Sequence, residues 1–94
     1  MPDLSHLDDP TWCPKAVVGV EIHEAADGYI LYQAEQERVH YLNRTAVILL
    51  ALCTGKTRVD EMPGLLQSAF ALGAPPAAET RACLERLVGE SLIA

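Results

Sequence analysis

Sulfur is scarce and badly spaced for chemistry in this chain of 94 residues: Cys13, Cys53 and Cys83 are odd in number, far apart and without a Cys-x-x-Cys pair. A disulfide framework or a zinc knuckle needs closer, paired sulfurs, so three idle or buried thiols in a reducing compartment are expected. Positive charge is also short, with seven Lys and Arg against thirteen acids and a formal net charge of −6. That balance opposes nonspecific binding to nucleic acid, where basic side chains replace phosphate counterions. No apolar run approaches the eighteen or so residues of a membrane span, and no basic-then-apolar segment opens the chain, so a cytoplasmic protein without membrane contact is expected. Aromatic residues make up only 5% of a chain that is 50% apolar, which points to an aliphatic core. A chain of this length forms one domain burying somewhat more than about 60% of its unfolded surface, with little room for a deep enclosed active site.

Catalytic patterns are equally sparse. His6, His23 and His40 form no metal pattern with Asp8, Asp9 or Cys13, and no His-x-x-x-His spacing falls on a helix. Cys53 lies in an apolar stretch without a neighbouring base to raise its thiolate fraction. There is no Gly-rich phosphate loop. A protein that is not an enzyme, with no cofactor and no metal, is the expectation.

What is present reads as β-β-β-α-α-α. Met1 to Pro14 hold three Asp and three Pro around Trp12 with no periodicity, suggesting a mobile or loosely docked arm ahead of a domain at residues 15–94. Trp12 is expected to pack onto that domain. Val18, Val20 and Ile22 alternate with Gly19, Glu21 and His23, the period-two signature of a half-buried strand over Val17 to Glu24. Ala26-Asp27-Gly28 supplies a turn into a second strand, Tyr29 to Gln33. A polar link, Ala34 to Glu37, leads to a short third strand at Arg38 to Leu42. Tyr29, Tyr32 and Tyr41 read as packing residues.

Asn43 is a good N-cap for a helix over Thr45 to Leu52, ended by Thr54-Gly55. A second helix is expected from a cap at Asp60 to Leu72, burying Leu65, Leu66, Ala69 and Phe70, with Pro63 harmless in its first turn. The last helix runs from about Ala77 to Glu90 on a stripe of Thr80, Leu84, Leu87 and Val88. Three helices beside a small antiparallel sheet give an α+β domain of winged helix-turn-helix type, with its three-stranded sheet at the N-terminal side.

The segment Val39-His40-Tyr41-Leu42-Asn43-Arg44-Thr45-Ala46, leading into Ile48-Leu49-Leu50-Ala51-Leu52-Cys53-Thr54-Gly55, resembles the PqqD-like pattern of a strand ending in Leu-Asn, a Thr-Ala helix start and a Leu-Cys-Asp-Gly-like helix end. Thr57 to Met62 is similar to that family's step into its second helix, and Gly89 to Ile93 to its closing Gly-Leu-Ile. Thr54 stands where Asp is usual, Pro63-Gly64 interrupts an apolar stretch, and the first two strands lack the texture of the pyrroloquinoline quinone pathway's own member. The resemblance is therefore to the broad family of recognition elements for ribosomally made, modified peptides.

This resemblance implies a peptide-binding module, or peptide chaperone. A precursor's leader peptide would add as a strand beside Arg38, Val39, His40, Tyr41 and Leu42, in a groove walled by the last helix through Arg81, Leu84, Glu85 and Val88. The bound peptide would be presented to a modifying enzyme, typically a radical S-adenosylmethionine (radical SAM) enzyme. Arg81 would meet an acidic leader residue; the plainer reading pairs it with Glu85 on a solvated face. The rival is a winged-helix DNA-binding regulator, yet Glu79 to Glu90 holds three acids and two Arg where a reading helix needs basic and amide side chains. A structural homodimer is the third reading, since an exposed edge strand or a swapped hairpin invites self-association.

Overall fold

The alternating run after Gly19 and the two links that follow it fold as a meander. A computed structural model describes residues 5–94 and gives β1 as Val20–Ala25, β2 as Gly28–Gln33 and β3 as Arg38–Leu42. The three strands are antiparallel in the order β1-β2-β3. Ala26 and Asp27 alone span the first hairpin, where Ala25 pairs with Gly28. Only glycine fits at that corner: its φ is +155°, and a Cβ there would lie 2.7 Å from the backbone oxygen of Leu42.

Three helices follow, α1 at Arg44–Leu52, α2 at Met62–Phe70 and α3 at Ala77–Gly89. The result is the α+β layout that the sequence implies. Asn43 caps α1 as its chemistry demands, with Oδ1 accepting the Ala46 N–H at 2.8 Å. The start of α2 differs from expectation. Val59–Glu61 form a single 3₁₀ turn, Asp60 pairs with Arg58 at 2.6 Å instead of capping, and the α-helix begins at Met62 with Pro63 in its first turn. A 3₁₀ turn absorbs the step because it needs no donor from Pro63.

The core is aliphatic, with Leu31, Leu42, Leu49, Met62, Leu66, Leu84, Leu87 and Leu92 closed from solvent. Several expected core residues are outside it, Ile22 and Ala69 among them. Val18 is 89% exposed because Gly19, at φ +78°, bends the chain before β1 begins, so Val18 never joins the alternation. Leu65 is also exposed, α2 presenting Met62 and Leu66 to the core instead.

The segment ahead of the domain is docked along its described length. Leu7 is buried in a 3₁₀ turn at Ser5–Asp8, and Pro14 is buried as well. The Trp12 carbonyl accepts the Val59 N–H at 2.7 Å, and the Pro14 carbonyl accepts the Gly55 N–H at 2.9 Å. Trp12 packs against the core with His6 stacked on it at 5.3 Å between ring centroids. Isolated bridges join Lys15 to Thr54 and Ala16 to Ile93, tying both chain ends to the helical layer. Residues 5–14 of the expected mobile or loosely docked arm thus lie against the domain, and residues 1–4 lie outside the described part.

Candidate functional site

Among the described residues β3 pairs with β2 alone, which leaves its other side a free edge there. Which of its backbone groups point outward follows from two contacts. The Tyr41 carbonyl accepts a bond from Arg86 Nη2 on α3 at 2.7 Å, which turns it away from β2. The Leu42 carbonyl, one residue on, lies against Gly28 at the end of β2. Antiparallel pairing alternates the two directions, so Arg38, His40 and Leu42 bond to β2, while Val39 and Tyr41 turn both N–H and C=O outward.

Side chains follow the same alternation. His40 and Leu42 are buried, whereas Val39 is 51% and Tyr41 70% exposed. Tyr32 pairs with Val39 and Ile30 with Tyr41, extending an apolar strip over the sheet's outer face. Tyr41 is thus a surface residue and not the packing residue its composition suggests. Charge around this strip is one-sided: residues 20–42 carry Glu21, Glu24, Asp27, Glu35 and Glu37 against Arg38 alone.

His40 anchors the strand from beneath. Its Nε2 lies 2.7 Å from Gln33 Oε1 on β2, and its Nδ1 lies 3.1 Å from Glu90 Oε2 just past α3. Glu90 Oε2 is buried and faces that ring nitrogen. Glu90 Oε1 holds Arg86 Nε at 3.1 Å. Gln33, His40, Glu90 and Arg86 form one connected set fixing the end of α3 against β3.

The residues read from sequence separate into two places. Arg38, Val39, His40, Tyr41 and Leu42 form the edge strand together. Arg81, Leu84, Glu85 and Val88 do not line its flank. Leu84 is a core residue, 1% exposed. Arg81 turns toward the N-terminal segment, bonding Asp8 Oδ1 at 2.8 Å and the Leu7 carbonyl at 3.4 Å, with Glu85 at 3.1 Å. The Asp8 carboxylate, with Glu85 beside it, holds the Arg81 guanidinium above its usual pKa. Val88 faces Trp12, Val17 and His6 in a cleft of about 440 Å³ on that far side.

The flank of α3 that faces the start of α1 carries Glu79, Ala82, Cys83 and Arg86, and from it Arg86 reaches β3. Arg86 stands between two clefts. One, of about 520 Å³, lies between the β1–β2 turn and Tyr41. The other, of about 340 Å³, lies between the start of α1 and α3 beside Ala82 and Cys83. Burial holds the Cys83 thiol proton more tightly than usual, with Arg86 pulling the other way. Cys53 is buried and its pKa is pushed up to about 12, mainly by desolvation with Cys83 adding to it. A thiol so placed is a poor nucleophile. No group of three or more His, Cys, Asp or Glu that could hold a metal ion occurs among the described residues. No helix among them is long and apolar enough to cross a membrane.

The sequence reading took Arg81 for the groove wall, whereas the arginine of α3 whose side chain reaches β3 is Arg86. Small residues were the available signal: Ala82 and Cys83, one turn before Arg86, leave space for a neighbouring chain. Compared with family models, curated proteins and solved structures, the chain matches none.

Proposed function

We propose that this domain binds the leader segment of a ribosomally made precursor peptide by strand addition to β3, and presents it to a modifying enzyme of the radical SAM type. One observation supports the strand addition: Val39 and Tyr41 direct backbone groups out of a free edge, and the Tyr41 carbonyl is met by the Arg86 side chain, not by another strand, at the mouth of a cleft. An extended peptide meets there the main-chain donors and acceptors that supply affinity in edge pairing, with alternate side chains left to supply specificity. The class of peptide and of enzyme rests on the family resemblance alone, carried by residues 39–55, 57–62 and 89–93. In this role the domain performs no chemical step.

Binding to duplex DNA is less well supported. α3 would be the reading helix, yet Arg81 is paired with Glu85 and Arg86 with Glu90, so neither guanidinium is free for phosphate or base.

Amide hydrogen exchange tests the strand directly. Twelve-residue peptides encoded beside the gene, or selected from a random displayed library, are added at saturation and exchange is followed by NMR. The Val39 and Tyr41 amides slow by about tenfold or more, because each acquires a main-chain acceptor, while His40 and Leu42 are slow already. A bound peptide that leaves Val39 and Tyr41 exchanging as before means recognition lies elsewhere.

A further inference from the structure

We infer that Arg86 is the residue that sets peptide specificity, selecting a strand with one carboxylate opposite Tyr41 and no acids at its ends. The inference rests on strand addition at β3 and adds the charge pattern of the occupant. Arg86 Nη2 now donates to the Tyr41 carbonyl at 2.7 Å. That carbonyl is one of the outward acceptors a new strand must use, and the strand brings its own N–H to it. The incoming N–H therefore competes with the Arg86 fork for the Tyr41 carbonyl and crowds it off that oxygen.

The displaced fork does not swing away. Its Nε remains tied to Glu90 Oε1 at 3.1 Å, which keeps the terminal nitrogens at the mouth of the groove. The side chain is 46% exposed, so it is half desolvated before any peptide arrives. A guanidinium that loses an acceptor in such a place needs another, and a carboxylate matches its geometry with two parallel bonds. A neutral or basic residue at that position leaves the fork short of a partner.

The ends of the groove set the rest of the pattern. Asp27 lines the cleft on one side of Arg86 and Glu79 the cleft on the other. Acids on the peptide at those places meet like charge, while neutral or basic residues do not. The alternative cation, Arg81, is held by Asp8, Glu85 and the Leu7 carbonyl away from β3.

The test uses a phage-displayed library of random twelve-residue peptides selected on the wild-type protein. Enrichment of a single Glu or Asp at one register, flanked by non-acidic residues, is expected. The best synthetic peptide and its Glu→Gln (or Asp→Asn) form are then titrated against wild type, Arg86→Gln and Glu90→Gln. Wild type prefers the acidic form by about 10–100-fold. Arg86→Gln loses that preference and binds the neutral form at least as tightly as wild type does, because the Tyr41 carbonyl is already free. Glu90→Gln binds the acidic form more tightly, since the fork has lost its resident carboxylate. Peptides whose binding is abolished by Val39→Pro, yet which carry no acid or whose preference survives Arg86→Gln, overturn the Arg86 inference and leave strand addition standing. Peptides that bind folded Val39→Pro as well as wild type overturn strand addition, and a selection that enriches nothing overturns both.

Discussion

Proline placed at two adjacent residues of β3 separates the edge from the ladder. His40 bonds to β2 opposite Leu31, so His40→Pro removes the N–H that completes that pair. It also removes a buried imidazole from between Gln33 Oε1 and Glu90 Oε2. One lost ladder bond with its stranded acceptor costs about 1–3 kcal/mol, and the buried polar atoms left behind cost about as much again. For a domain of this size the total, roughly 4 kcal/mol, is a large share of a stability of about 5–15 kcal/mol. The melting temperature falls by more than about 15 °C, or the variant does not fold.

Val39→Pro removes a backbone N–H that has no partner among the described residues, at a position whose side chain is half exposed. The preceding residue, Arg38, is already in a strand, where proline wants its neighbour. Its cost stays within about 1 kcal/mol, or less than about 8 °C in melting temperature. A peptide strand, however, loses a donor and meets the pyrrolidine ring, so affinity falls by about tenfold or more. Circular dichroism melts and peptide titration on the two variants read both effects. Equal melting losses refute the assigned alternation of β3, and unchanged affinity in a folded Val39→Pro refutes the strand mechanism.

Gly28→Ala puts a Cβ 2.7 Å from the Leu42 oxygen at φ +155°, so β2 and β3 must part at that end; thermal melts should show a loss of about 3 kcal/mol. Asn43→Ala deletes the 2.8 Å cap of α1 and should lower stability by about 1 kcal/mol, with Asn43→Asp restoring most of it. Cys53, with a pKa raised to about 12, keeps its proton in the folded state well above the usual thiol value of about 9. Iodoacetamide at pH 8 should therefore leave Cys53 unmodified in the folded protein, as mass mapping would show. Unfolding releases that proton above about pH 9, so the contribution is intact below that value and declines as pH rises toward 12. Alkylation of Cys53 at the rate seen in urea would show that the thiol is not held by burial.

The short-range signals were the legible ones. β3 has the bounds that Arg38-Val39-His40-Tyr41-Leu42 suggests, and Asn43 caps α1, because a polar link, a β-rich run and a capping side chain act within a few residues. Val18 was misread because an alternating pattern does not reveal that Gly19 turns the chain out of it. The docking of Leu7 and Asp8 rests on Arg81, seventy-three residues beyond Asp8, and no local pattern encodes such a contact. The same distance problem hides the groove flank of α3. Arg81 and Arg86 both have an acid four residues on, and only the packing of Thr80, Leu84 and Leu87 into the core decides which of them meets β3.

The two free edges of the sheet are guarded differently, and the difference bears on what β3 is for. β1 carries Glu21, His23 and Glu24 along its length, the charge that keeps an edge from pairing. β3 offers apolar Val39 and Tyr41, and one of its two outward acceptors, the Tyr41 carbonyl, is covered by a side chain, Arg86, from another element. A guard of that kind is removable at the cost of one hydrogen bond, whereas charge along a strand is not. A second copy of this chain is the wrong key for it. Two sheets joined at β3 would bring together residues 20–42 of both copies, each with five acids against one Arg, and both Arg86 forks would lose Tyr41 with no carboxylate supplied in return. An extended peptide with a single acid supplies that carboxylate and brings little opposing charge. Analytical ultracentrifugation should accordingly find a monomer at low salt, and a dimer that Val39→Pro disperses would turn this argument around.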